Sequence, residues 1–163
     1  FKEWKETGVE DTCQDCHMPR KKSRLTQKLP LSLLHKEKWV GNHKFLHGDL
    51  TEKDILIEVE FKDRFFNFSL LNKNVPHRVP TADNGDPRLY LYITFLNAAG
   101  EQVDKNKWIL APQQDTALPF HKKMDYRYRL FDPVAQVNIV LKYQPAWSKE
   151  KDLVWKKTVK PMT

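Results

Sequence analysis

The sequence predicts a mainly β chain, an antiparallel immunoglobulin-like β-sandwich preceded by a loop-rich segment with little helix. Three observations carry that prediction. From about residue 51 onward, apolar side chains recur at every second position in short runs, the period of strands with one buried face. Turn-forming residues separate the runs and no long helical period intervenes, which favours antiparallel pairing over helical crossovers. Residues 1–50, in contrast, show little regular apolar pattern. With 163 residues the chain suits one ordinary domain and an appendage, so 1–50 and 51–163 are expected as its two parts.

In chain order, Leu29-Pro30-Leu31-Ser32-Leu33-Leu34-His35 opens a short helix with Pro30 near its first turn, ending before Gly41. Ile55, Ile57, Val59 and Phe61 alternate with Leu56, Glu58, Glu60 and Lys62, a first strand. After the polar break Lys62-Asp63-Arg64, Phe66, Phe68 and Leu70 form the second. Leu89, Leu91, Ile93 and Phe95 form the third, which stops at the turn Asn97-Ala98-Ala99-Gly100. Tyr126, Tyr128 and Leu130 mark a fourth, and Val137, Ile139, Leu141 and Tyr143 a fifth beyond Asp132-Pro133. Trp108 to Leu110 and Leu153 to Thr158 each suggest one more. There is no internal repeat or low-complexity tract.

The most specific local signal is Cys13-Gln14-Asp15-Cys16-His17. Two cysteines three positions apart can add their thiols to the two vinyl groups of one haem, while the histidine that follows reaches the iron. The chain holds 2 cysteines, so both are consumed by this motif. Competing readings are weaker. Structural zinc wants a second ligand pair at zinc spacing; a thioredoxin-like pair belongs at a strand end that opens a helix, whereas the flanks here are polar and loop-like; a disulfide across this gap closes too small a loop to staple much. One covalent haem c is therefore the expected cofactor, with Cys13 and Cys16 as thioether carriers and His17 as proximal ligand. A porphyrin covered by protein adds apolar area that a short polar segment lacks, so the haem is expected in or beside the seam between the two parts.

Lys and Arg number 28 against 21 Asp and Glu, a formal charge of +7. The basic residues are scattered and no nucleic-acid motif accompanies them, which excludes that class of partner. No apolar run is long enough to cross a bilayer as a helix. Thioether attachment follows export, so a periplasmic or extracellular location is expected, with any export signal already removed. Arg20, Lys21 and Lys22, with Arg24 and Lys28 beyond, follow the haem motif directly and are candidates for steering an acidic redox partner; a solvated loop explains them equally well.

For the second axial position, His35, His43, His47 and His77 are near candidates and His121 a remote one. Met18 is too close to His17 to reach the opposite face of the ring. Met124 and Met162 lie in polar or terminal surroundings that suit solvated residues. His43 and His47 lie between Gly41 and Gly48, in a stretch able to fold over a haem; His77 is held between Pro76 and Pro80. Asp83-Asn84-Gly85-Asp86 lacks the spacing and closing Glu of a calcium loop and reads as a turn. No Ser-His-Asp or paired-carboxylate arrangement can be assigned.

These residues resemble multihaem c-type cytochromes, especially large periplasmic ones whose haem segment runs into an all-β end domain. The resemblance rests on Trp4, on Cys13 to Pro19, on His43-Lys44-Phe45 with Gly48, and on Asn72 to Thr81 leading to Arg88. It implies His43 as first choice of distal ligand and His77 as an alternative or as ligand to a neighbouring haem; His47, where the family often has glycine, is a third choice. Pro76 and Ala82 replace glycines of the family pattern around His77. The family carries many haem motifs and this chain carries one. It is then either the end piece of a longer cytochrome or a one-haem subunit whose second histidine serves a neighbour, in an oligomer or multihaem complex.

Two imidazoles on iron leave no open position, and the expected function is electron transfer within or to a larger redox complex rather than catalysis. The rival is a five-coordinate haem that binds or senses CO, NO or peroxide. A third reading makes the sandwich a docking subunit, marked by exposed aromatics among Tyr90, Tyr92, Tyr126 and Tyr128, which cross-strand packing explains as well.

Overall fold

The computed structural model describes residues 2–24, 26, 28–41, 50–81, 85–131 and 133–161. Its elements are α1 (Lys2–Glu6), α2 (Cys13–His17), β1 (Arg20–Ser23), α3 (Leu31–Leu34), β2 (Lys38–Gly41), β3 (Ile55–Lys62), β4 (Phe65–Asn72), β5 (Arg88–Leu96), β6 (Gln102–Leu110), β7 (Lys123–Arg129), β8 (Gln136–Gln144) and β9 (Asp152–Val159), with a 3-10 turn at Pro112–Gln114. The chain forms two compact units, one of Phe1–Thr7 with Asp49–Thr163 and one of Gly8–Gly48. Among the described residues no helix is long and apolar enough to cross a membrane.

The larger unit is mainly β, as the alternation predicts. One sheet runs β3-β4-β7 and the other β6-β5-β8-β9, every pairing antiparallel. Side chains alternate across a strand, so Phe66, Phe68 and Leu70 of β4 share one face and join Leu89, Leu91, Ile93 and Phe95 of β5 and Val137, Ile139 and Leu141 of β8 in one core. Phe66 meets Phe95 edge-on, with ring centroids 5.5 Å apart, so the two sheets touch through aromatic rings. Trp155 on β9 adds a polar tie, its indole N–H donating to the Ile55 carbonyl of β3 at 3.0 Å.

Two expectations change in extent. β6 runs the full length of β5 although only Trp108 to Leu110 have an apolar pattern; the polar stretch Asp104-Lys105-Asn106-Lys107 is an edge strand held by its partner. β7 begins at Lys123 and takes in Met124, which packs against the core and is not a solvated residue. The tyrosines considered as docking marks are also engaged: Tyr90 is buried, Tyr126 stacks on Phe68 at 4.8 Å and Tyr128 on Phe95 at 5.2 Å. Burial accordingly pushes the Tyr126 hydroxyl above its ordinary range.

The smaller unit is built from short pieces. β1 and β2 pair antiparallel with Lys22 opposite Trp39. Neither RKKS nor KWVG alternates in polarity, so this ladder had no signature in the sequence. α3 begins one residue after Pro30, which occupies the N-cap, and Arg24 reaches back to donate to the Ser32 carbonyl at 3.0 Å. The helix buries its serine and exposes its leucines: Ser32 is 7% exposed against 54%, 69% and 78% for Leu31, Leu33 and Leu34.

Candidate functional site: the Cys13–His17 helix

The haem-type motif folds as one short helix, and of the flanks expected to be polar and loop-like the downstream one instead forms β1 from Arg20. The start of the helix is set by a capping box. The Asp15 N–H donates to the Thr12 hydroxyl at 3.3 Å, and the Thr12 N–H donates to the Asp15 carboxylate at 2.9 Å, each satisfying a donor that the first helical turn leaves orphaned. The Thr12 hydroxyl donates to the same carboxylate at 2.6 Å. These bonds from Thr12 hold the Asp15 carboxyl below its ordinary range. A threonine three places before an acid is a readable sequence signal, and the motif reading passed over it.

Within that turn Cys13 and Cys16 stand three residues apart, so both sulfurs project from the same side of the helix. Both are free and exposed. Burial first, then the Asp11 and Asp15 charges, push the Cys16 thiol above its ordinary range, the reverse of the depressed value that activates a thioredoxin-type pair. No strand leads into the helix. Among the described residues no group of three or more His, Cys, Asp or Glu gathers as a metal cluster would require. Two accessible thiols on one helical face, with half-buried His17 next along the chain, are the donor set that a covalent haem needs.

Downstream, Arg20, Lys21 and Lys22 are all exposed on β1, and Lys22 lies over the Trp39 ring at 5.5 Å. The register sets Arg20 opposite Gly41, and a Cβ at Gly41 would lie 3.9 Å from the Met18 thioether methyl. The chain therefore returns beside the haem motif just before the stretch that holds His43 and His47. Those two histidines lie outside the described residues, as does Met162. His35 is exposed at the C-cap of α3.

His77 and His121 belong to the larger unit, on loops that meet at Asn72. The Asn72 side chain, 0% exposed, donates to the Val75 carbonyl at 3.0 Å and the His77 carbonyl at 2.7 Å, and accepts from the Val75 N–H at 3.1 Å. Nothing in the sequence periodicity singled out Asn72. His121, at φ +53°, stacks on Phe120 at 3.7 Å and its Nε2 bonds the Lys73 carbonyl at 2.7 Å. Asp83 and Asn84 of the calcium-like stretch are not among the described residues; Asp86, which is, pairs with Arg88.

The fold of this mainly β chain is similar to that of a solved multihaem c-type cytochrome. That structure is a penta-heme cytochrome c552 from Thermochromatium tepidum, matched with a TM-score of 0.60 at 20% identity over 98% of this chain and 49% of that one. This chain thus spans about half the length of that protein, and at such identity the likeness is one of fold. No protein-family profile matches the chain, and no curated protein matches it.

Proposed function

We propose that this chain is an extracytoplasmic c-type cytochrome that carries one covalent haem and passes electrons within or to a larger redox complex. The observation that carries the reading is the capped helix that displays two free thiols on one face with His17 directly after them. The fold likeness to a penta-heme cytochrome supports it. Residues 1–50 act as the haem-binding part and 51–163 as the sandwich part.

Cys13 and Cys16 hold the group covalently, and the Thr12–Asp15 box keeps their helical turn formed. His17 supplies the proximal imidazole. His43 remains first choice for the distal one, supported by the return of the chain to Met18 at Gly41, two residues earlier. His77 is the alternative, or a ligand to a neighbouring haem, and His47 the third choice. When bound, haem supplies a reversible one-electron couple, and two imidazoles favour a lower potential than a His and Met pair. The exposed leucines of α3 and Trp39 offer apolar surface in the same unit that a porphyrin can cover.

The purified protein is expected to be red, with a low-spin ferric spectrum. A high-spin ferric signal, with CO binding after reduction, would replace electron transfer by the ligand-binding reading. The partner is expected to present an acidic surface to Arg20, Lys21 and Lys22. Reversing all three to Glu should flatten the dependence of electron-transfer rate on ionic strength, because steering by exposed charges is screened over about 10 Å at 0.1 M salt. An unchanged salt slope removes the steering role.

A further inference from the structure

We propose that the outer face of the sheet β6-β5-β8-β9 is a docking surface for an acidic protein partner, one that presents clustered carboxylates. The inference lies wholly in the larger unit and goes beyond the haem reading, which it does not need. Leu89, Leu91, Ile93 and Phe95 of β5 fill the core, so Tyr90, Tyr92 and Thr94 point to the other side of the sheet. The register then sets Lys105 opposite Thr94 and Lys107 opposite Tyr92 on β6, Lys142 opposite Tyr90 on β8, and Lys156 opposite Val140 on β9. Among the described residues no Asp or Glu of these strands shares that face. Asp104 is in register with Phe95 and accepts from the Tyr128 hydroxyl at 2.7 Å, and Asp152 is opposite Tyr143. Glu150 lies in the turn before β9, between Lys149 and Lys151.

The charges converge at Tyr90. Lys107 Nζ lies 4.9 Å and Lys151 Nζ 4.2 Å from the centroid of its ring, whose face attracts cations. A relay fixes the approach of Lys151: the Tyr90 hydroxyl donates to Gln144 Oε1 at 3.0 Å, and the Gln144 amide donates to the Ser148 carbonyl at 2.8 Å, at the head of the turn that carries Lys151. Covering a tyrosine accounts for Lys107 and Lys151. It leaves Lys105 and Lys156, both exposed, which continue the same sign across the sheet. Like charges on neighbouring strands repel, and carboxylates brought by a partner relieve that repulsion. The outer face of the sheet β3-β4-β7 differs, since Glu58 there is paired with Lys123. The residue type selects the partner. Lysine is a hydrated point charge that suits many weak contacts with carboxylates, whereas arginine is the better fork for phosphate, and Arg88 at the start of β5 is already paired with Asp86. Tyr90 is buried and offers no ring for a nucleic-acid base to stack on. Leu153, opposite Lys142, is exposed and gives a protein partner an apolar contact.

The test uses the purified full chain, with a fluorescent polyglutamate peptide as the probe of an acidic protein surface. Lys105→Glu, Lys107→Glu and Lys156→Glu combined should weaken its binding at low salt by about tenfold and flatten the dependence on salt, because reversed exposed charges repel it. Lys53→Glu, Lys62→Glu and Lys122→Glu combined make the same change in net charge outside the four-stranded sheet, and should leave binding within about twofold. All these lysines are exposed, and matching urea midpoints check that the fold survives. Where the first triple does not fold, Lys151→Gln with Lys156→Gln removes charge from the same face without adding any, and should weaken binding by about threefold. Equal losses in the two triples mean that net charge alone acts, and overturn the proposal. Tighter binding of heparin or of phosphatidylserine vesicles than of polyglutamate, lost in the first triple, also overturns it and assigns the face to a sulfated polymer or a lipid surface. Self-association of the parent chain that the first triple abolishes overturns it in favour of a second copy. The peptide binding is expected with or without haem, so this inference and the cytochrome reading fail separately.

Discussion

Replacing Cys13 and Cys16 together by serine is expected to return a chain without covalent haem, lighter by about 0.6 kDa beyond the change in the two side chains, because the sequence offers no third thiol to form a thioether. Each single variant retains one attachment, so its haem should still survive denaturation, with altered absorbance. The sandwich is expected to tolerate the change, since neither cysteine belongs to its core and both are exposed. Mass under denaturing conditions reads attachment and urea unfolding reads the fold, so loss of cofactor is separated from loss of structure. A double variant that keeps haem through denaturation would show that the group is not held by these sulfurs. Asp15→Asn would disturb the same turn without touching a sulfur, since it removes the charge that the Thr12 N–H and hydroxyl both satisfy.

How much of this was open to sequence reading follows from what makes each element form. β3, β4, β5 and β8 bury one face against the opposite sheet, which forces apolar residues into every second position, and Ile55 to Phe61, Phe66 to Leu70, Leu89 to Phe95 and Val137 to Tyr143 show it plainly. β6 is different. Its polar middle exists because β5 offers a row of unpaired backbone groups, and a partner's free hydrogen-bonding edge leaves no trace in the strand that fills it. The ladder of β1 and β2 escaped for the same reason. At the site, Cys13, Cys16 and His17 are legible because they form a compact local pattern, whereas Asn72 acts through single bonds to two carbonyls and follows no period. His43 and His47 fall outside the described residues, so the expectation placed on them stays with the sequence.

The sandwich should owe much of its stability to one ring. Phe66 is fully buried on β4, with Phe61 at 5.2 Å and Phe68 at 5.7 Å on its own sheet and Phe95 of the opposite sheet at 5.5 Å. Phe66→Ala removes the ring from the middle of that aromatic group, and neighbours fixed in two paired sheets can close only part of the space. The expected cost is about 3–5 kcal/mol, transfer of the lost ring plus the cavity it leaves. Domains of this size are stable by about 5–15 kcal/mol, so the variant should unfold at a much lower urea concentration and stand near the limit of folding. Phe95→Ala opens the same space from the other sheet. The two losses should therefore fall short of additivity in the double variant, since the second ring is removed from contacts already gone. Strict additivity would mean that the sheets do not meet through these rings, and a midpoint for Phe66→Ala close to that of the parent chain would place Phe66 outside the core altogether.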